Sequence, residues 1–218
     1  MAVSVVPIPM STRESLIARI ANPDDQAGWA EFTTIYGPLV YSELRRRGFN
    51  HDDSEDLTQR VFVGVVRGMR NFRYSQERGR FRDWLGTIVR NESVLAWRNQ
   101  QRHPMIHQPG ELLDLTPAPS PDPEWLDAFH AHMLATALER CQPRFEPATW
   151  SAFEQSWLQD KDAETVAAAH GREVEWVYVS KSRVLKALTE MIHEMTDDVP
   201  TFIRPQVLPI PSEYSGSI

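Results

Sequence analysis

The sequence predicts an all-α protein made of two small helical domains joined by a proline-rich linker. Three observations lead there. Apolar residues recur at helical spacing on both sides of residues 103–123, and no segment alternates in strand fashion. The stretch between holds Pro104, Pro109, Pro117, Pro119, Pro121 and Pro123, too many for a helix. A length of 218 residues accommodates two domains of ordinary size.

In chain order, Ser11-Thr12-Arg13-Glu14 has capping-box spacing ahead of Leu16, Ile17 and Ile20 and predicts a short helix. Asp24 or Asp25 caps a second helix over about Gln26–Arg47, kinked by Pro38 and ended by Gly48. A third, over about Asp52–Asn71, is acidic in its first turn and basic at its far end, matching the helix dipole. A fourth spans about Arg80–Arg102, with Phe81, Trp84, Leu85, Ile88 and Leu95 on one stripe and Trp97 roughly opposite. Helical patterning resumes at Glu124, is broken by Pro143 and Pro147, and continues through Trp150, Phe153 and Leu158. Two more helices, Asp162–His170 and about Glu173–Glu194, are separated by little more than Gly171. The expected divisions are a leader with a short helix (1–24), a first domain (25–102), the linker (103–123), a second domain (124–195) and a proline-rich tail (196–218).

The net charge of −7 argues at first against a nucleic-acid partner, but the distribution is uneven. Between Arg60 and Arg102 about ten arginines face three acids, and the planar guanidinium suits phosphate and base contacts. Arginines interleaved with aromatics suit a single strand, whose backbone is held by cations while unpaired bases stack on rings. Asp162–His170, Gly171 and the longer amphipathic helix after it form a helix-turn-helix pattern. Tyr178, Ser180, Lys181, Arg183 and Lys186 are then expected to face DNA, while Glu173 and Glu175 oppose tight independent binding.

Nothing points to catalysis. Of the pairs His130/His132 and His103/His107, the i,i+4 pair sits at the proline linker with no nearby carboxylate to complete a zinc site; surface histidines are the expected reading, and Cys141 has no identifiable base partner. There is no glycine-rich phosphate loop and no nucleophile motif. No cofactor and no metal are expected. The N-terminal MAVSVVPIPM is a poor signal peptide, no stretch suits membrane insertion, and the single cysteine fits a reducing cytoplasm.

The segments EDLTQRVF (55–62), FRDWLGTIVRN (81–91), the proline-rich break and VYVSKSRVLKAL (177–188) occur in an order that resembles sigma-70 family sigma factors. More narrowly, the chain is similar to the extracytoplasmic-function (ECF) group, which keeps only regions two and four. The resemblance covers about Trp29–Arg102 and Leu134–Met191. It implies a non-enzymatic alternative sigma factor that directs RNA polymerase to promoters, melts DNA and initiates transcription.

By that resemblance Asp53, Asp56, Leu57, Gln59 and Arg60 dock on the beta-prime coiled coil of core polymerase, although the family commonly has Glu where Arg60 stands. Arg73, Arg80, Arg82, Arg90, Asn91 and Arg98 lie near the melted minus-ten strand, with the Tyr74–Arg78 loop forming a pocket. The linker threads near the RNA path, and the Tyr178–Lys186 helix reads the minus-thirty-five element. Region four also touches the beta flap, and the resemblance admits an anti-sigma factor as a further partner. The alternative is a stand-alone helix-turn-helix regulator. A further variant has Phe202, Ile203, Val207, Leu208 and Ile210 of the tail folding back on region four or binding a regulator.

Overall fold

The computed structural model describes residues 15–69, 80–101 and 122–196, all of them helical or in short connections. The helices are α1 (Leu16–Arg19), α2 (Gln26–Arg46), α3 (His51–Met69), α4 (Phe81–Gln101), α5 (Pro123–Cys141), α6 (Pro147–Phe153), α7 (Ala163–His170) and α8 (Val174–Met195). A 3-10 turn, Gln142–Arg144, joins α5 to α6, and a π-helical turn, Glu154–Leu158, extends α6. No strand occurs among the described residues, so the all-α expectation holds. None of the described helices is long and apolar enough to cross a membrane.

The ends of these helices follow from local chemistry. Ser15, not the Ser11–Glu14 box outside the described residues, caps α1 by accepting from the Ala18 N–H. Of the two candidate caps for α2 it is Asp25 that accepts from the Gly28 N–H, at 2.7 Å. Arg19 bonds the same carboxylate at 3.0 Å and holds it below the usual aspartate range. Helix α2 runs on through Pro38, which lies on its exposed side.

The described chain forms two compact units. In one, α1–α4 are joined by residues 122–129 at the head of α5 and by residues 194–196. Its core is aromatic. Phe32 stacks on Tyr36 at 4.5 Å, and Phe81 meets both edge-on at 6.0 and 5.5 Å. The Tyr36 phenol is buried and donates to the main-chain carbonyl of Met195 at 3.0 Å. Gly64 and Gly68, one turn apart on α3, face Ile88 and Trp84, one turn apart on α4. A Cβ on Gly68 would lie 2.4 Å from the Trp84 ring, so this close helix pairing requires glycine there.

One charged cluster in this unit is buried. The Glu43 side chain, 1% exposed, accepts from Arg46 Nε and Arg47 Nε, each at 2.7 Å. The same arginines reach Glu124 and Asp122 at the head of α5. Full desolvation of Glu43 is thereby matched by two guanidinium groups whose far sides stay wet.

The other unit comprises residues 130–193 of the described chain. Met133, Ala137 and Cys141 of α5, Phe153 of α6 and Val166 of α7 are buried, as are Val177, Val184 and Leu188 of α8. Phe153 packs between Trp150 and Trp157, at 5.3 Å from each.

Candidate nucleic-acid interface

Helix α3 presents a graded outer face. Asn50 opens it with a reciprocal cap, its side-chain oxygen accepting from the Asp53 N–H at 2.8 Å and its amide donating to the Asp53 carboxylate at 3.0 Å. Asp52, Asp56, Gln59, Val63 and Val66 follow at helical spacing and are all exposed, so the stripe runs from acidic to apolar. Two expected contact residues are less open. Leu57 is 3% exposed and aligned with buried Val61 and Val65, which corrects its assignment to the docking surface. Arg60 is half-buried and acts with Arg67 on Glu92 of α4, so its charge has a partner within the fold. Burial raises the Glu92 carboxyl above the usual glutamate range, and the two arginines pull it part of the way back.

Helix α4 begins after Arg80, whose carbonyl accepts from the Asp83 and Trp84 N–H groups. Phe81 and Trp84 are buried, so neither is a stacking platform. The outward side carries Arg90, Val94, Trp97 and Arg98 at i, i+4, i+7 and i+8, all exposed. Trp97 keeps 41% of its surface open while one face lies against Phe49, with ring centroids 4.8 Å apart. A ring held on one side and open on the other is a ready surface for an unpaired base. Arg80 is exposed, and Arg82 and Asn91 are half-buried, with Arg82 Nε 3.4 Å from Asp83. Arg73 and the Tyr74–Arg78 loop lie outside the described residues.

The second surface is built by α7 and α8. Asp162 caps α7, accepting from the Thr165 N–H and hydroxyl, each at 2.7 Å. These bonds, the backbone one first, hold its carboxyl below the usual range. Gly171 ends the helix at φ 60°, ψ 38°, a left-handed conformation that favours glycine. Ala152, Val166, Ala167 and Val177 form the core of the junction, where small side chains let the helices approach closely.

On α8, Glu175, Tyr178, Val179, Ser182, Arg183 and Lys186 are exposed. Ser180 is not. At 2% exposure it lies between Val177 and Val184 on the inward stripe, which corrects the expectation that it faces DNA. Lys181 is half-buried and, with Lys161, Asp162 and Tyr178, lines a shallow cavity of about 260 Å³. Arg172, just before the helix, lies 5.7 Å over the Trp176 ring. Val63, Val66, Val179 and Ser182 went unnoticed in the sequence. The three valines could have been found as apolar residues out of phase with their helix's buried stripe.

Comparison with known proteins agrees with this geometry for the first unit. Residues 33–103, spanning most of α2 through α4, match the family described as sigma-70 region 2. The chain is also 33% identical over 129 residues to a protein of Mycolicibacterium smegmatis named ECF RNA polymerase sigma factor SigE. That match covers 57% of this chain and 48% of the relative, so the chain spans about half the length of that protein.

Proposed function

We propose that the chain, whose residues 33–103 match sigma-70 region 2, is an alternative sigma factor of the ECF group, without enzymatic activity of its own. It works in the cytoplasm, bound to core RNA polymerase and promoter DNA. Residues 25–102 act as region two and residues 124–195 as region four, joined by the 103–123 linker. The observation that supports this most directly is that the region-two match falls on helices whose outer faces suit two different partners.

The α3 stripe from Asp52 to Val66 suits a basic protein partner. Its acidic end steers encounter and its valines supply apolar contact. The beta-prime coiled coil takes that place. The α4 stripe offers arginines and one open indole, suited to holding the unpaired minus-ten strand after its bases leave the stack. Helix α8 enters the major groove at the minus-thirty-five element. A net charge of −7 fits a protein that depends on the polymerase for much of its DNA affinity.

The test mixes the full chain with sigma-free core polymerase of its source bacterium on a sizing column. Co-elution is expected for wild type and is expected to be lost in an Asp56→Arg/Gln59→Ala variant. Failure of wild type to bind native core, with tight duplex binding by the chain alone, would replace this reading with the stand-alone regulator.

A further inference from the structure

The most exposed large apolar side chains of α8 sit side by side on a face framed by charge. Tyr178 and Val179 are 51% and 46% exposed. With Glu175 and Ser182, also exposed, they form one stripe at i, i+3, i+4 and i+7. Arg172 precedes that stripe, and Arg183 and Lys186 follow it, all exposed. The inward stripe of Val177, Ser180, Val184 and Leu188 is buried, so helix phase holds Val179 outward.

Resting on the reading of α8 as the duplex-reading helix, we infer that Val179 reads a thymine methyl and Glu175 a cytosine amino group in the promoter. Among base edges in the major groove only thymine offers an apolar group, its C5 methyl, and a valine between charged neighbours has no other apolar partner there. A carboxylate only accepts hydrogen bonds and is repelled by phosphates. Glu175 is therefore directed to the groove floor, where cytosine N4 is its matching donor. The flanking cations suit the phosphates on either side, which favours duplex DNA over a protein as the occupant of this face. Four residues of helix rise about 6 Å and one base pair about 3.4 Å. Because the helix lies in the groove at an angle to the duplex axis, the two bases are within about two base pairs of each other.

The test uses polymerase reconstituted with the full chain and promoter libraries randomised across the upstream element. Wild type is expected to select a thymine and a cytosine within about two base pairs of each other. Replacing that thymine by deoxyuridine removes only the methyl and is expected to weaken open-complex formation about fourfold. Val179→Ala, which suits a helix, is expected to be indifferent to the replacement, and Glu175→Gln to shift selection from cytosine to adenine. If the reconstituted enzyme initiates specifically but wild type ignores the methyl, or Val179→Ala still senses it, the inference is wrong while the sigma reading stands. A uniform loss of initiation by Val179→Ala on every template, with the deoxyuridine effect retained, would move Val179 to a polymerase contact. Core binding without specific initiation on any library would overturn both.

Discussion

Trp125 donates its indole N–H to the main-chain carbonyl of Arg82 across 2.9 Å, tying the head of α5 to the first turn of α4. The indole is 2% exposed and lies so close over Gly86 that a Cβ there would meet Nε1 at 2.5 Å. A segment beyond the linker thus helps to fix the start of the helix proposed to hold single-stranded DNA. Trp125→Phe removes the bond and part of the buried ring, at a cost of at least about 1 kcal/mol. Trp125→Ala also empties a buried site, at about 3–5 kcal/mol. Urea unfolding followed by circular dichroism checks the difference, and equal effects would mean that the indole volume matters little.

Glu43 gives a second stability test. Its carboxylate is buried against Arg46 and Arg47, so Glu43→Ala leaves two guanidinium groups without their central acceptor. Both guanidinium groups keep water and the Asp122 and Glu124 carboxylates, so the expected loss is about 1.5–3 kcal/mol. Glu124→Ala removes only an exposed arm of the cluster and is expected to cost about 0–1 kcal/mol. Comparable losses in the two variants would contradict the central place given to Glu43.

Gly68→Ala is expected to reverse the usual sign of a glycine-to-alanine change in a helix. Propensity alone favours alanine by about 1 kcal/mol. Here the new methyl meets the Trp84 ring at 2.4 Å, and overpacking at such a contact costs about 1–3 kcal/mol. A lowered thermal midpoint is the expected result. In a Trp84→Leu background, which is less stable in itself, the penalty of Gly68→Ala is expected to shrink.

Such long-range fits explain what was and was not legible in the sequence. Helical periodicity, the Asp25 cap and Gly171 are local features, and the fold class and most helix bounds followed from them, while Asp162, read as the first residue of its helix, is the cap before it. Leu57 and Ser180 were misplaced because membership of a motif does not fix helix phase. Leu57 follows Val61 and Val65 inward, and Ser180 follows Val177 and Val184. The reach of Arg46 and Arg47 to Asp122 and Glu124 joins residues 75 or more apart, beyond any periodic signal. The pairing of Trp125 with Arg82 spans a proline-rich stretch that reads only as a break.

The Asp162 cap predicts a pH dependence for the helix-turn-helix. Its carboxyl is held below the usual aspartate range by the Thr165 N–H and hydroxyl. A carboxylate whose pKa falls on folding stabilises the native state above its unfolded pKa, about 3.9. That contribution fades as the pH drops through the lower folded value. Asp162→Ala is therefore expected to lower the thermal midpoint fully at neutral pH, with the gap to wild type narrowing below about pH 4. Asp162→Asn keeps an acceptor for Thr165 and is expected to lose less, with no titration of its own at residue 162. A gap for the alanine variant that stays constant down to pH 2 would rule out a charged cap.

Arg98 tests the single-strand face without disturbing the fold. It is exposed on the last turns of α4, beside the open ring of Trp97. If it holds a phosphate of the melted strand, Arg98→Ala removes one counterion-releasing contact. The log–log salt dependence of open-complex affinity is then expected to become shallower by about 0.7. Trp97→Ala is expected to weaken the complex by stacking loss, about 1–3 kcal/mol per base, with the salt slope unchanged. Both variants are expected to retain core binding, because the α3 face is untouched. Measuring affinity for a pre-melted promoter across a salt series separates the roles. An unchanged slope for Arg98→Ala would take the cation off the strand, while a changed slope for Trp97→Ala would mean that the ring acts by positioning a neighbouring charge.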